Sequence, residues 1–303
     1  MSQSSITQDE KSQHTSQQQQ QHQKKGFSDP LGDRMKEYEA KFSLKLDKDK
    51  PWIVRLDGHH FSKFTKGFKK PFDERFSNVM TKTTCDLVKE FIPTLAFTQS
   101  DEITLVFPAL PLDSPSEQIY GGRVSKIVSL MASFCAVRFN FYLALEEFDP
   151  NTEKGIYEKS KAAIAYFDAR AFSIENEVEA AQNVLWRSYV DYRRNSILNL
   201  GFAHFSHKEM HGWATVQVLE NLEKKGISWN TYPDHYRFGV FVKKSTYQKE
   251  ALDPKTNEMV LVTRSQIVTR SFDLQGYHKS HVQLLFSKYW EDYDSFKNDP
   301  NNA

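Results

Sequence analysis

Two short acidic motifs stand where apolar runs break. Asp57 closes Trp52-Ile53-Val54-Arg55-Leu56 just before Gly58, and Ser100-Asp101-Glu102 separates Leu95-Ala96-Phe97 from Ile103-Thr104-Leu105-Val106-Phe107. Carboxylates at the ends of extended segments can converge from different parts of a chain onto divalent cations. Magnesium is held by one or two carboxylates together with substrate phosphates, and a pair of ions about 4 Å apart stabilises both the attacking and the leaving oxygen of an in-line displacement. Nucleotide chemistry is therefore the first expectation. The same letters also serve as plain turn residues, because Asp, Gly and Ser punctuate strands for conformational reasons alone.

The elements that must position these acids follow from the pattern around them. A helix is expected over Gly32–Phe42, then the strand Trp52–Leu56, then a basic loop from His59 to Lys70 in which Lys63, Lys66, Lys69 and Lys70 alternate with Phe61, Phe64 and Phe68. Pro71 and Asp73 open a helix to about Phe91 with Phe76, Val79, Met80 and Leu87 facing inward. The hairpin Leu95–Phe107 leads through a loop with Pro108, Pro111, Pro115 and Gly121-Gly122 to a long helix from Arg123 to Phe148. Strands joined so tightly must be antiparallel, so the order strand, helix, strand, strand, helix predicts an α+β fold: a palm-like (ferredoxin-like) antiparallel sheet flanked by helices. Further on, Ala163–Phe172 reads as a strand, Asn176–Leu200 and Phe202–Lys224 as helical, and Tyr236–Lys243 and Glu258–Ser271 as strands around Asp253-Pro254. These form additional C-terminal helices and strands.

Composition bounds the rest. The 303 residues carry 40 Lys plus Arg against 39 Asp plus Glu, so any nucleic-acid surface must be a local patch. Cys85 and Cys135 are the only cysteines, which supports neither a disulfide framework nor a cysteine zinc site and suggests a reducing, cytoplasmic setting. No apolar stretch is expected to reach the roughly 20 residues of a membrane span. The Gln- and Ser-rich start, with its run Gln17–Gln21, reads as a disordered tail and resembles neither a secretory signal nor a transit peptide. The expected organisation is a tail over 1–28, a catalytic domain with its C-terminal extension over 29–287, and a C-terminal tail over 288–303.

Taken together, Trp52-Ile-Val-Arg-Leu-Asp-Gly58, Lys70-Pro71-Phe72-Asp73, the helix residues to Met80-Thr-Lys82 and the Gln99-Ser-Asp-Glu102 hairpin resemble the histidine-tRNA guanylyltransferase family. The resemblance continues through Arg123-Val-Ser-Lys126, Phe167-Asp-Ala-Arg170, Trp186-Arg187 with Asp191 and Asn199, and Trp229-Asn230 to Tyr236-Arg237-Phe238-Gly239, roughly residues 30 to 275. It implies a polymerase-like palm that uses two magnesium ions to add nucleotides to the 5′ end of tRNA, with ATP and GTP or other nucleoside triphosphates as substrates. Carried onto this chain, it implies Asp57 and Asp101 as metal ligands with the Gly58 carbonyl, and Glu102 beside them as a further catalytic carboxylate. Lys70, Ser100, Arg123 and Lys126 match positions that contact the triphosphate, where cationic and hydroxyl donors suit charge building on phosphoryl oxygens. His59 and His60, next to the acids, are candidate substrate contacts. The family also implies a homo-oligomer, a dimer of dimers.

One departure matters. Members that act on histidine tRNA carry His-Ile-Asn-Asn shortly after the Trp-Arg pair, whereas this chain reads Arg193-Arg194-Asn195-Ser196. The expectation is therefore the guanylyltransferase-like branch, which uses the tRNA's own 3′ strand as template to restore missing 5′ nucleotides, with addition of the extra G to tRNAHis as the alternative. Arg193 and Arg194 are either RNA-phosphate contacts or ordinary salt-bridged helix residues. Two other classes compete: a non-catalytic tRNA-binding palm, disfavoured because clustered buried carboxylates without a cation are costly, and a nucleotide cyclase, disfavoured by Lys70 and Trp186-Arg187. His204, His207 and His211 share helical spacing that would permit zinc, but no metalloprotease pattern accompanies them. Gly121-Gly122 lacks the Gly-Lys-Ser/Thr ending of a P-loop.

Overall fold

The computed structural model describes residues 29–298 except 277. The tail expected over 1–28 lies outside the described residues. The chain divides into two units, one ending at Ser43 and one beginning at Leu44. In the first, α1 (Pro30–Ala40) starts on an Asp29 cap that accepts from the Leu31 N–H at 3.1 Å.

The second unit is built on six strands: β1 (Trp52–Gly58), β2 (Leu95–Gln99), β3 (Glu102–Phe107), β4 (Phe167–Ser173), β5 (Val240–Leu252) and β6 (Met259–Arg270). They form one antiparallel sheet in the order β4-β1-β3-β2-β5-β6. The first four carry the palm-like topology: β1 crosses to β2 through α3 (Glu74–Phe91), and β3 to β4 through α4 (Val124–Leu145), while the short α2 (Phe61–Phe64) follows β1. The expected α+β antiparallel fold is what forms.

β1 is apolar at nearly every position because both of its faces are covered. Val54 and Leu56 join Ile103, Leu105, Leu87, Met131 and Phe139 in a core under α3 and α4. Ile53 on the opposite face joins Leu95, Phe97, Val106 and Phe241, closed by α6 (Glu177–Leu185), α11 (Ser280–Phe286) and α12 (Trp290–Asn298). A third cluster holds α7 (Arg193–His204), α8 (His207–Met210), α9 (Thr215–Glu223) and α10 (Asp234–Phe238) around Leu200, Val218 and Trp229. The remaining helix is α5 (Lys154–Ala162).

Four expectations need correction. α4 is 22 residues long and apolar enough, by length and composition, to cross a membrane; its pattern escapes notice because Ile127, Met131, Cys135, Phe139 and Leu143 are buried on the sheet while Leu130, Val137 and Phe141 are exposed. Residues 163–166 are not strand, because Ala163, at φ 50°, caps α5 and β4 starts only at Phe167. Tyr236–Phe238 is helix, stopped by Gly239 at φ 76°, where any Cβ would meet Phe97 and the Thr98 carbonyl. Residues beyond 288 are not wholly a tail: α12 buries Trp290 completely, with its indole N–H donating 3.1 Å to the Val268 carbonyl.

Lys243 on β5 is fully buried and donates to the carbonyls of Thr94 (3.0 Å) and Leu284 (2.9 Å), tying α11 to the sheet. Burial lowers its pKa from 10.5 to about 7, with Asp292 pulling the other way. Between those values the unfolded chain binds the extra proton, so stability should rise as pH increases from about 7 towards 10. Chemical-denaturation midpoints at pH 7 and 9.5 should show that rise in the wild type and a flatter response in Lys243→Met.

Candidate active site

The acids gather at one end of the sheet because of register. Asp57 lies opposite Glu102 on β3 and opposite Asp168 on β4. The Gly58 N–H donates to the Asp101 carbonyl at 3.1 Å, which docks the two-residue turn of the β2–β3 hairpin onto the end of β1. Ser100 enters that turn at φ 45° and its side chain hydrogen-bonds Asp101. Gly58 is required for contact reasons, since a Cβ there would be driven into the Phe61 ring.

Electrostatics record the crowding. Burial, then the Asp168 charge, raise the Asp57 pKa against the pull of Arg55 and Arg170. Burial, then Asp57, raise that of Asp101. Burial lifts Glu102 to about 7 although Arg55 opposes it. Glu102 is gripped by protein groups: Gln99 Nε2 donates to it at 3.3 Å, and Arg187 Nη1 lies 3.3 Å from its carboxylate. Among the described residues, neither Asp57 nor Asp101 forms a salt bridge of this kind.

Beside the turn, a cavity of about 100 Å³ is lined by Lys70, Ser100, Asp73, Tyr192, Asn199 and Tyr236 among others. Asp73 holds its wall: it caps α3, accepts from the Lys69 N–H at 3.2 Å and pairs with Arg75, which also reaches Glu153 at 2.6 Å. In the basic loop, Phe61, Phe64 and Phe68 are buried and the four lysines are exposed, with Lys69 and Lys70 lining the cavity and Lys63 and Lys66 away from it. His59 stacks on Tyr166 at 4.7 Å and sits with His60 just past the acids.

Arg123 and Lys126 are not brought to this end. The Leu46 N–H bonds the Gly122 carbonyl, Lys45 bridges to Arg123, and Asp47 bonds Ser173 opposite Trp52, so α4 begins beside the start of β1. The length of β1, at about 3.3 Å per residue, leaves them roughly 20 Å from Asp57 in the same chain. Arg193 is engaged with Asp273 at 3.0 Å and stacks over Trp229, and the exposed Arg194 pairs with Asp191. Among the described residues no group of three or more His, Cys, Asp or Glu could hold a metal; His207 packs on Phe202 instead.

Sequence reasoning passed over Arg55, Asp168 and the ionic role of Arg187 and Asp191. Strand register would have found Asp168, but register across β1 and β4 depends on a crossover of about 60 residues that no local pattern fixes.

Residues 32–175 match the family model described as Thg1, tRNAHis guanylyltransferase. The chain is 31% identical to a solved bacterial tRNA(His) guanylyltransferase (Thg1)-like protein in complex with ATP, covering 70% of this chain and 87% of that one at a TM-score of 0.61. The chain belongs to the tRNAHis guanylyltransferase family. A Thg1-like bacterial structure in complex with GTP is 27% identical, with a TM-score of 0.58 over 79% of this chain and 91% of that one. An uncharacterised protein of Acanthamoeba polyphaga mimivirus is 34% identical over 88% of this chain and 92% of its own length. As a member of this family of nucleotidyltransferases, the protein is an enzyme, and its antiparallel six-stranded sheet with flanking helices is similar to the solved family structures.

Filling the Gly58 site with even one methyl should disturb this end of the sheet. Gly58→Ala is expected to cost about 1–3 kcal/mol as an overpacked core position, read as a lowered thermal midpoint, and Gly58→Ala with Phe61→Leu should recover part of it.

Proposed function

We propose that this enzyme restores missing 5′ nucleotides of truncated tRNA, working in the 3′-to-5′ direction with the opposing 3′ strand as template. The observation that carries this reading is the meeting of Asp57 and Asp101 at one end of the sheet, where the Gly58 N–H holds the Asp101 carbonyl, next to a cavity that Ser100 of the same turn lines together with Lys70. Similarity to solved family members in complex with ATP and GTP supports nucleoside triphosphates as its substrates.

The residues fit magnesium. Two neighbouring carboxylates, both raised in pKa by burial and then by a nearby carboxylate, make a hard-oxygen donor set, and a site with few protein ligands leaves room for waters and phosphates. Asp57, Asp101 and the Gly58 carbonyl would hold the ions, which lower the pKa of an attacking hydroxyl and neutralise a leaving phosphate. Asp57 and Asp101 fix where charge is met. Lys70 and the Ser100 hydroxyl bind phosphoryl oxygens, and the cavity between Asp73, Tyr192 and Tyr236 seats the nucleoside. The reaction has up to three phosphoryl transfers: the 5′-monophosphate attacks ATP and expels pyrophosphate, the incoming nucleotide's 3′-hydroxyl attacks the activated 5′-phosphate and expels AMP, and water removes pyrophosphate from the new 5′-triphosphate. A 5′-triphosphate makes activation unnecessary.

The alternative, a single extra G on tRNAHis, is favoured by the description of the matching family model. Arg193 and Ser196 weigh against it: Arg193 is committed to Asp273, and Ser196 accepts from the Trp229 indole at 3.1 Å while its carbonyl accepts from Tyr236, so both are occupied within the fold. Magnesium-dependent extension of a labelled, 5′-truncated non-histidine tRNA should follow the opposing strand and fall at least 100-fold in Asp101→Ala, the scale of losing a metal ligand. Untemplated addition, or an active mutant, would sink the reading.

Assembly as a homo-oligomer, a dimer of dimers, belongs to the same proposal, as does a cytoplasmic location, which the two free cysteines support. In an oligomer, Arg123 and Lys126 serve a phosphate in a neighbouring copy's site, consistent with their distance from Asp57 in their own chain. Mixed oligomers of Asp101→Ala chains with Arg123→Ala/Lys126→Ala chains should then transfer nucleotides where neither parent does. Monomers in light scattering, or no recovery on mixing, would remove this assignment.

A further inference from the structure

Behind the acids, Trp186–Tyr192 forms a π-helical turn between α6 and α7. Its wider winding re-aims side chains relative to an ordinary helix. Arg187 is thereby directed inward, its side chain only 11% exposed, with Nη1 3.0 Å from Asp191 Oδ2 and 3.3 Å from Glu102 Oε2. Its guanidinium also lies 4.8 Å from the Trp186 ring centroid. The second cation near Glu102 is Arg55, whose Nε is 3.8 Å away, too far for a hydrogen bond, and buried without a partner. Arg187 is thus the closer hold on Glu102. Glu102 in turn follows Asp101 in the chain and faces Asp57 across the ladder.

We propose that Arg187 is a positioning residue: by bridging Glu102 to Asp191 it fixes the Ser100–Glu102 turn, and Asp101 with it, in the arrangement that transfer requires. Nothing in its placement brings it to the nucleotide cavity, whose lining does not include it. A planar guanidinium can serve two carboxylates at once, whereas a lysine ammonium at the same position satisfies one of them well. The inference rests on the nucleotidyl-transfer reading above.

The test is steady-state extension of the truncated tRNA by the full chain carrying Arg187→Met, Arg187→Lys, Glu102→Gln or Arg187→Met with Glu102→Gln, with thermal midpoints for each. Two residues acting through one contact give a non-additive cycle, so the double variant should be within about 3-fold of the slower single variant. Arg187→Met should lose kcat about 100-fold with KM for the nucleotide within about 3-fold, and Arg187→Lys should regain about 10-fold, because the lost contact positions the site and does not bind substrate. A double variant whose losses multiply, a defect confined to KM, or a loss that follows the thermal midpoint and is not recovered by lysine would overturn the assignment. An active wild type with a multiplying cycle overturns Arg187 alone, whereas a wild type without transfer on any tRNA overturns the nucleotidyl-transfer reading and this assignment with it.

Discussion

Uncompensated negative charge at one end of the sheet is the constraint on which the rest depends. Antiparallel register sets Asp57 opposite both Glu102 and Asp168, and the hairpin turn adds Asp101. Burial first, and then the neighbouring carboxylates, disfavours ionisation, which is why Asp57, Asp101 and Glu102 all move upward in pKa. The fold answers part of this charge: Arg55 and Arg170 oppose the rise at Asp57, and Arg187 pairs with Glu102.

The two faces of the sheet divide the remaining work. On one, Phe61, Phe64, Phe76, Phe139 and Phe167 pack edge to face or tilted at 4.9–6.1 Å, a rigid aromatic floor directly beneath Gly58 and the basic loop. On the other, the alternation that buries Ile53 also places Arg55 and Asp57 on the same side, so apolar packing at one end of β1 gives way to an ionic layer at the other. The π-helical turn covers that layer. Rigidity below and fixed charges above let three short loops hold their side chains without bulky supporting elements.

The basic loop shows how local and global forces cooperate. Its phenylalanines are anchored in the core, its lysines are left in solvent, and Lys159 donates to the carbonyls of Lys63, Phe64 and Lys66, closing the end of α2. The Asp73–Arg75–Glu153 network pins the other end. Lys70 is therefore delivered to the cavity by packing on both sides of it.

Much of this was legible in the residues. Continuous apolar runs broken by Asp-Gly and Ser-Asp marked β1 and the β2–β3 hairpin, the Pro71-Asp73 signal marked the start of α3, and the tight hairpin dictated an antiparallel α+β sheet, because each of these depends on backbone preferences within a few residues. Asp57 and Asp101 stood out at strand ends for the same reason, whereas Lys70 and Ser100 were named through the resemblance to the tRNAHis guanylyltransferase family. What only the tertiary structure decided involves partners far apart in sequence: Asp168 beside Asp57, Arg187 on Glu102, Arg193 on Asp273, helix at Tyr236 where alternation suggested strand, and Arg123 and Lys126 at the far end of β1. Short-range sterics and hydrophobic periodicity are written residue by residue, whereas charge pairing and strand register are settled only when the sheet closes and each buried group must find its partner.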